Sequence, residues 1–165
     1  MEPRTLEVTT PTETEIRMVR RFHAPQERVF QAVTDPRLLE KWLSGPPGWS
    51  LANCEIDLRE GGRFRYLWKG PEGAEMGMGG TFLEIDRPNR IVHTELFDED
   101  WTGGETTVTT ILTEEAGTTT LTLTVRYSSK EVRDAALETG MTEGISMSYD
   151  RLAELLGTGA PADPS

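Results

Sequence analysis

His93 and Glu95 are the two side chains in this chain best placed to do chemistry together. They lie two apart in the run Ile91 to Phe97, which reads as a strand. Successive strand side chains point to opposite faces, so Ile91, His93, Glu95 and Phe97 share one face. A histidine within reach of a carboxylate can act as a general base or hold a ligand hydroxyl. If that face is concave, the pair points inward. If it is convex, the same pair is a solvated ion pair, and strand periodicity leaves both open. A second feature is the row Phe64, Tyr66 and Trp68, with Arg63, Arg65 and Lys69 mostly opposite. The row is either plain core or the wall of an apolar pocket, with the Tyr66 hydroxyl and the Trp68 indole N–H as its polar anchors. Tyr149, beside Ser148, offers another hydroxyl or is an ordinary half-buried tyrosine. Met76 and Met78, with Met141 and Met147, supply soft lining or core filler.

Other chemistries find no support. His23 sits at a strand end beside Ala24-Pro25, where a surface role is expected. Two dispersed histidines and one cysteine do not make a zinc site. No nucleophile elbow, Walker or dinucleotide motif occurs. Gly77-x-Gly79-Gly80 lies in a strand pattern with no helix after it, and suggests a bulge or a close backbone approach. No cofactor and no metal is implied. The net charge of −11 repels phosphate backbones and anionic membrane surfaces, so nucleic acid is not an expected partner. No apolar run approaches the ~20 residues of a membrane span. Met1 to Glu15 is polar, contains Pro3 and Pro11, and lacks the apolar segment of a secretory signal. Cys54 has no internal disulfide partner, so the cytoplasm is the expected compartment.

The elements that must position these residues follow in order. At 165 residues the chain is one domain by length. Residues 1–14 read as a flexible arm, 15–157 as the domain and 158–165 as a disordered tail. From Glu15, Ile16, Met18, Arg20 and Phe22 alternate with Arg17, Val19 and Arg21 in a first strand. Pro25 opens a short helix carrying Val29, Phe30 and Val33. Asp35-Pro36 caps a second, carrying Leu38, Leu39, Trp42 and Leu43, which Ser44 to Gly48 terminates. Strands then span Leu51 to Leu58, Arg63 to Lys69, Met76 to Ile85, Ile91 to Phe97, Thr106 to Thr113 and Thr118 to Tyr127, with Trp101 in a loop. Last comes a helical stretch from Ser128 to Leu156. Ser128 and Glu131 fit a capping box, and Met141, Ile145, Ser148, Leu152 and Leu155 form its apolar stripe, with Gly157 as its stop. Gly140 and Gly144 inside it mark a break, close packing on the sheet, or room for a ligand. The class is α+β. A seven-stranded antiparallel sheet curls, and the last helix closes it over a space that inward side chains need not fill.

Five segments carry a resemblance. They are Arg20-x-Phe22-x-Ala24-Pro25-x-x-x-Val29-Phe30, Asp35-Pro36 with Trp42, Asp57-x-Arg59-x-Gly61-Gly62-x-Phe64, Gly80-Thr81-x-x-Glu84-Ile85, and Asp150-Arg151-Leu152. In this order they resemble the activator of heat-shock protein 90 ATPase homologue-like family, within the START/birch-pollen-allergen-like (SRPBCC) superfamily. The match runs from about Ile16 to Leu156. Where that family commonly has a Trp near the start of the last helix, this chain has Met141. The resemblance implies a helix-grip fold with a deep cavity between sheet and helix. It also implies a lipid, polyketide or aromatic ligand, or cyclisation or dehydration of one. A co-chaperone role follows from the family name alone. The expected ligand-binding set is Phe64, Tyr66, Trp68, His93, Phe97, Met141, Ile145, Ser148 and Tyr149. In an enzyme, His93 and Glu95 would be the acid–base residues. A homodimer is left open.

Overall fold

The computed structural model describes residues 6–45, 47–99 and 104–159. The elements are β1 (Glu7–Thr9), β2 (Glu15–Phe22), α1 (Gln26–Thr34), α2 (Pro36–Trp42), β3 (Ser50–Ile56), β4 (Arg63–Lys69), β5 (Glu75–Asp86), β6 (Arg90–Phe97), β7 (Thr106–Glu115), β8 (Thr118–Arg126), α3 (Lys130–Leu137) and α4 (Met141–Gly159). One antiparallel sheet holds all the strands, in the order β1-β2-β8-β7-β6-β5-β4-β3. The chain leaves β2, crosses to the far edge through α1 and α2, and returns strand by strand until β8 pairs with β2. The two short helices lie where they do because they are that crossing.

The sheet therefore has eight strands where seven are expected. The extra strand, Glu7–Thr9, falls in the expected flexible arm and pairs with Arg17 to Val19 on β2. It is exposed along its length, so no alternation of burial betrays it. In β2 the alternation is complete, with Ile16, Met18, Arg20 and Phe22 all buried. Asp35 caps α2, its Oδ1 accepting from the Arg37 N–H at 2.9 Å. The Arg37 guanidinium and this backbone bond hold the Asp35 carboxyl below the usual carboxylate range. The Trp42 indole N–H donates to Ala32 O at 2.9 Å and pins α2 onto α1.

The closing stretch is two helices. Gly140, at φ +83°, breaks it where a left-handed residue is required. The cap of α3 is Ser129, one residue later than expected, and its Oγ accepts from the Val132 N–H at 3.1 Å. Gly144 is exposed, and a Cβ added there would meet nothing within 4 Å, so it neither packs on the sheet nor opens space beneath the helix. Leu156 rather than Leu155 is the buried residue at the far end of the stripe. α4 continues to Gly159, into the expected tail. Residues 160–165, Trp101 and the first five positions of the expected arm lie outside the described residues.

Two of the matching segments meet physically. Arg20 on β2 is buried, and its guanidinium lies 3.0 Å from the half-exposed carboxylate of Asp150 on α4. Asp57 and Arg59 pair with each other at 2.9 Å, beside the turn in which Gly61 takes φ +85°. Gly80 is the close approach suggested by its glycine-rich run. A Cβ there would overlap Thr94 O, with the Phe64 ring 2.7 Å away. Gly80→Ala is expected to lose about 1–3 kcal/mol in urea melts, the range for overpacking a filled site. An unchanged midpoint would show that the strands part freely there.

Candidate functional site

Helix α4 packs chiefly against α1, α2, α3 and β2. Beyond β2 the sheet runs on beneath it, and a cavity of about 320 Å3 lies in the space between. Every strand from β4 to β8 sends alternate side chains to its wall, as a pleated sheet wrapped around a hollow must, and β3 adds Ile56. The volume falls in the range of small-molecule sites.

The aromatic row of β4 forms one side. The Phe64 and Tyr66 rings are 5.0 Å apart, and Tyr66 meets Trp68 edge-on at 5.7 Å. The Trp68 indole N–H donates to Leu43 O at 2.9 Å. It is thus committed to the end of α2, and the expectation that it anchors a ligand is corrected. Tyr149 comes down from α4 between Phe22 and Trp42, with ring centroids 5.8 and 5.9 Å away.

His93 and Glu95 face inward, on the concave side. Nε2 of His93 lies 3.0 Å from Oε2 of Glu95. The imidazole is held edge-on by the rings of Phe64 at 5.3 Å and Phe82 at 6.2 Å. Its Nδ1 is buried and has no hydrogen-bond partner among the described residues. Nε2, against the carboxylate, is the nitrogen placed to donate to Glu95, and Nδ1 faces no acceptor among the described residues. Three tyrosines feel this carboxylate. Burial pushes the Tyr127 phenol up to about 12, with the Glu95 charge adding to it. Tyr66 and Tyr149 are also pushed well above the ordinary phenol value. Burial is the main cause for both, and Glu95 contributes to each. All three are therefore neutral phenols. The Tyr127 hydroxyl donates to the sulfur of Met141 at 3.3 Å, across the start of α4.

The structure brings together on this wall Phe64, Tyr66, Trp68, His93, Glu95, Phe97, Met141, Ile145, Ser148 and Tyr149. Met78 joins them, Met76 packs against the core nearby, and Met147 is exposed, so the suggestion that Met147 lines a pocket is corrected. His23 is at the surface, its Nδ1 3.3 Å from the Thr118 hydroxyl. Sequence reasoning missed the contribution of β7 and β8, namely Thr106, Val108, Thr110, Leu121, Leu123 and Val125, together with Tyr127. The signal was available in the alternation of Thr106, Val108 and Thr110. It also missed Val33, Thr34, Leu39, Trp42 and Leu43 from the crossing helices. Among the described residues no cluster of histidine, cysteine or acidic side chains could hold a metal ion. No helix among them is long and apolar enough to cross a membrane.

This architecture is shared. A protein of Rhodobacter sphaeroides superposes with a TM-score of 0.88 at 33% identity, covering 93% of this chain and 99% of that one. A protein of Mycobacterium smegmatis gives 0.79 at 30% identity over 92% of this chain and 97% of that one. The AHSA1 protein from Silicibacter pomeroyi gives 0.68 at 26% identity over 87% and 98%. None of the curated proteins matches this chain. The family model described as activator of Hsp90 ATPase homolog 1-like protein matches residues 23–157. It spans both crossing helices, the sheet from β3 to β8 and all but the end of α4, and the chain belongs to that family.

Proposed function

We propose that this protein binds a hydrophobic small molecule, of lipid, polyketide or aromatic type, in the cavity under α4. One observation carries the reading. The chain keeps a hollow of about 320 Å3 in the middle of its fold, walled by aromatic and aliphatic side chains with a His–Glu pair among them. Interiors normally pack to the density of organic crystals. A ligand site is the situation in which an apolar space with a few polar groups is retained.

The test is titration with phenylnaphthylamine, a neutral apolar fluorophore. The expected result is saturable binding that Ser148→Phe weakens about tenfold or more, equivalent to at least 1.4 kcal/mol. Ser148 is buried on α4 and lines the cavity, so a ring placed there fills it. The melting temperature of that variant should hold or rise, because cavity filling adds packing. Unchanged affinity in a folded variant would place the probe elsewhere. Native mass spectrometry of protein from its own host addresses the ligand itself, as a retained mass.

A second reading, a cyclase or hydrolyase, draws on the same His93–Glu95 pair. Against it stands the state of the imidazole. Nε2 is held by Glu95, and Nδ1, which keeps an unpaired lone pair, is buried, so a ligand reaches it only if neighbouring side chains move. The pair is better suited to holding than to abstracting. A co-chaperone role has the family description as its support.

A further inference from the structure

Resting on the reading of this cavity as a ligand site, we infer that its ligand carries a hydrogen-bond donor, an alcohol, phenol or amine set against Glu95, and is not a carboxylate. Among the described residues that line the cavity, Glu95 is the one carboxylate, and no lysine or arginine is present to neutralise a second. Its Oε2 is taken by His93 at 3.0 Å. Its Oε1 accepts no hydrogen bond from a described residue, and the side chain is 27% exposed. The neighbouring Tyr127 hydroxyl does not supply the missing donor, since it is turned onto the Met141 sulfur.

An ionised carboxylate is acceptor only, so Oε1 calls for an O–H or N–H. An apolar ligand without one would strip water from Oε1 and return nothing, and leaving a polar group so stranded costs free energy. An anionic ligand fares worse. It would bring a like charge into a space walled by low-dielectric side chains, where Coulomb repulsion is weakly screened. The chain's net charge of −11 opposes the approach of the same ligand from solution. A hydroxyl or ammonium group meets neither obstacle. The cavity thus discriminates by the sign and hydrogen-bonding sense of one polar group, while its aromatic walls accept many apolar shapes.

The experiment is a matched series on the whole protein at neutral pH: naphthol, its methyl ether, naphthylmethylamine and naphthoate. Each is measured by displacement of phenylnaphthylamine. Naphthol and the amine should bind about tenfold tighter than the ether, the ratio expected of one hydrogen bond to a charged acceptor, and naphthoate should be the weakest. Glu95→Gln keeps an acceptor and removes the charge, so the amine should lose affinity and naphthoate should gain it. If the ether equals naphthol, or naphthoate binds tightest, the inference is overturned while the cavity reading stands. An affinity order in Glu95→Gln unchanged from the parent removes Glu95 as its source and overturns the inference as well. If neither phenylnaphthylamine nor any naphthalene binds, the cavity reading itself fails and takes the inference with it.

Discussion

Leu152→Ala should lower the unfolding free energy by about 2–5 kcal/mol in urea melts, the span measured when a buried leucine is cut back to alanine. Leu152 is fully buried in the main core, in one cluster with Phe22, Phe30, Leu39, Trp42 and Tyr149. Its position makes the upper half of the range the better expectation. α4 does not lie flat on the sheet; it is held by its contacts with α1, α2, α3 and β2 around a hollow. The surroundings of Leu152 are rings and helix backbones fixed by their own hydrogen bonds, such as that of Trp42 to Ala32. They cannot collapse readily onto a missing side chain. Loosening this contact should also weaken probe binding, because the same helix is the roof of the cavity. A loss below about half a kcal/mol, the size of an ordinary surface substitution, would put Leu152 at the surface and the helix face elsewhere.

Asp150→Ala should cost about 3 kcal/mol, the low end for breaking a buried ion pair from one side. The low end applies because Asp150 is half exposed while Arg20 is fully buried. The variant takes a carboxylate away from a guanidinium in the core, and less of the desolvation of that charge is then offset. Replacing the charge as well should recover most of the loss. In Arg20→Met with Asp150→Ala, an apolar chain of similar length lies where the guanidinium was, against the Phe22 ring now 5.4 Å away. A double-mutant cycle measures the coupling directly. If Asp150→Ala alone loses less than about 1 kcal/mol, within the range of an exposed pair, the contact is incidental. This pairing also gives a physical role to two segments matched far apart in sequence, one on a strand and one on the closing helix.

The strands were legible because burial alternates along them and glycine or proline punctuates them. Phe64, Tyr66 and Trp68 declare a face by period two, and the Asp35-Pro36 cap declares a helix start. The same periodicity cannot say which face is concave. Curvature is a property of the whole sheet, so the inward aim of His93 and Glu95 had to come from the structure. β1 was invisible because three exposed residues, Glu7, Val8 and Thr9, have no buried face to alternate with. The threonines of β7 and β8 read as generic pleated surface, and some of those on β7 turn out to point inward. Thr106 and Thr110 line the cavity, while Thr107 and Thr109 face away. Gly144 misled for a different reason. A glycine suggests proximity, yet Gly144 lies on the solvent side of α4, where a Cβ would meet nothing within 4 Å. The commitment of the Trp68 N–H to Leu43 O is a contact between β4 and the end of α2, which no local pattern encodes.

The hollow under α4 has a mechanical meaning besides its chemical one. It is volume that the folded chain holds open in its interior and the unfolded chain does not. Hydrostatic pressure favours whichever state occupies less space, and the volume change of unfolding scales with the internal void that disappears. Whatever part of that roughly 320 Å3 stays dry should make so small a fold soft to pressure. A molecule seated in the cavity removes part of that void in advance and should raise the pressure the fold withstands. Compression thus titrates occupancy without a fluorophore, a label or any knowledge of what the occupant is.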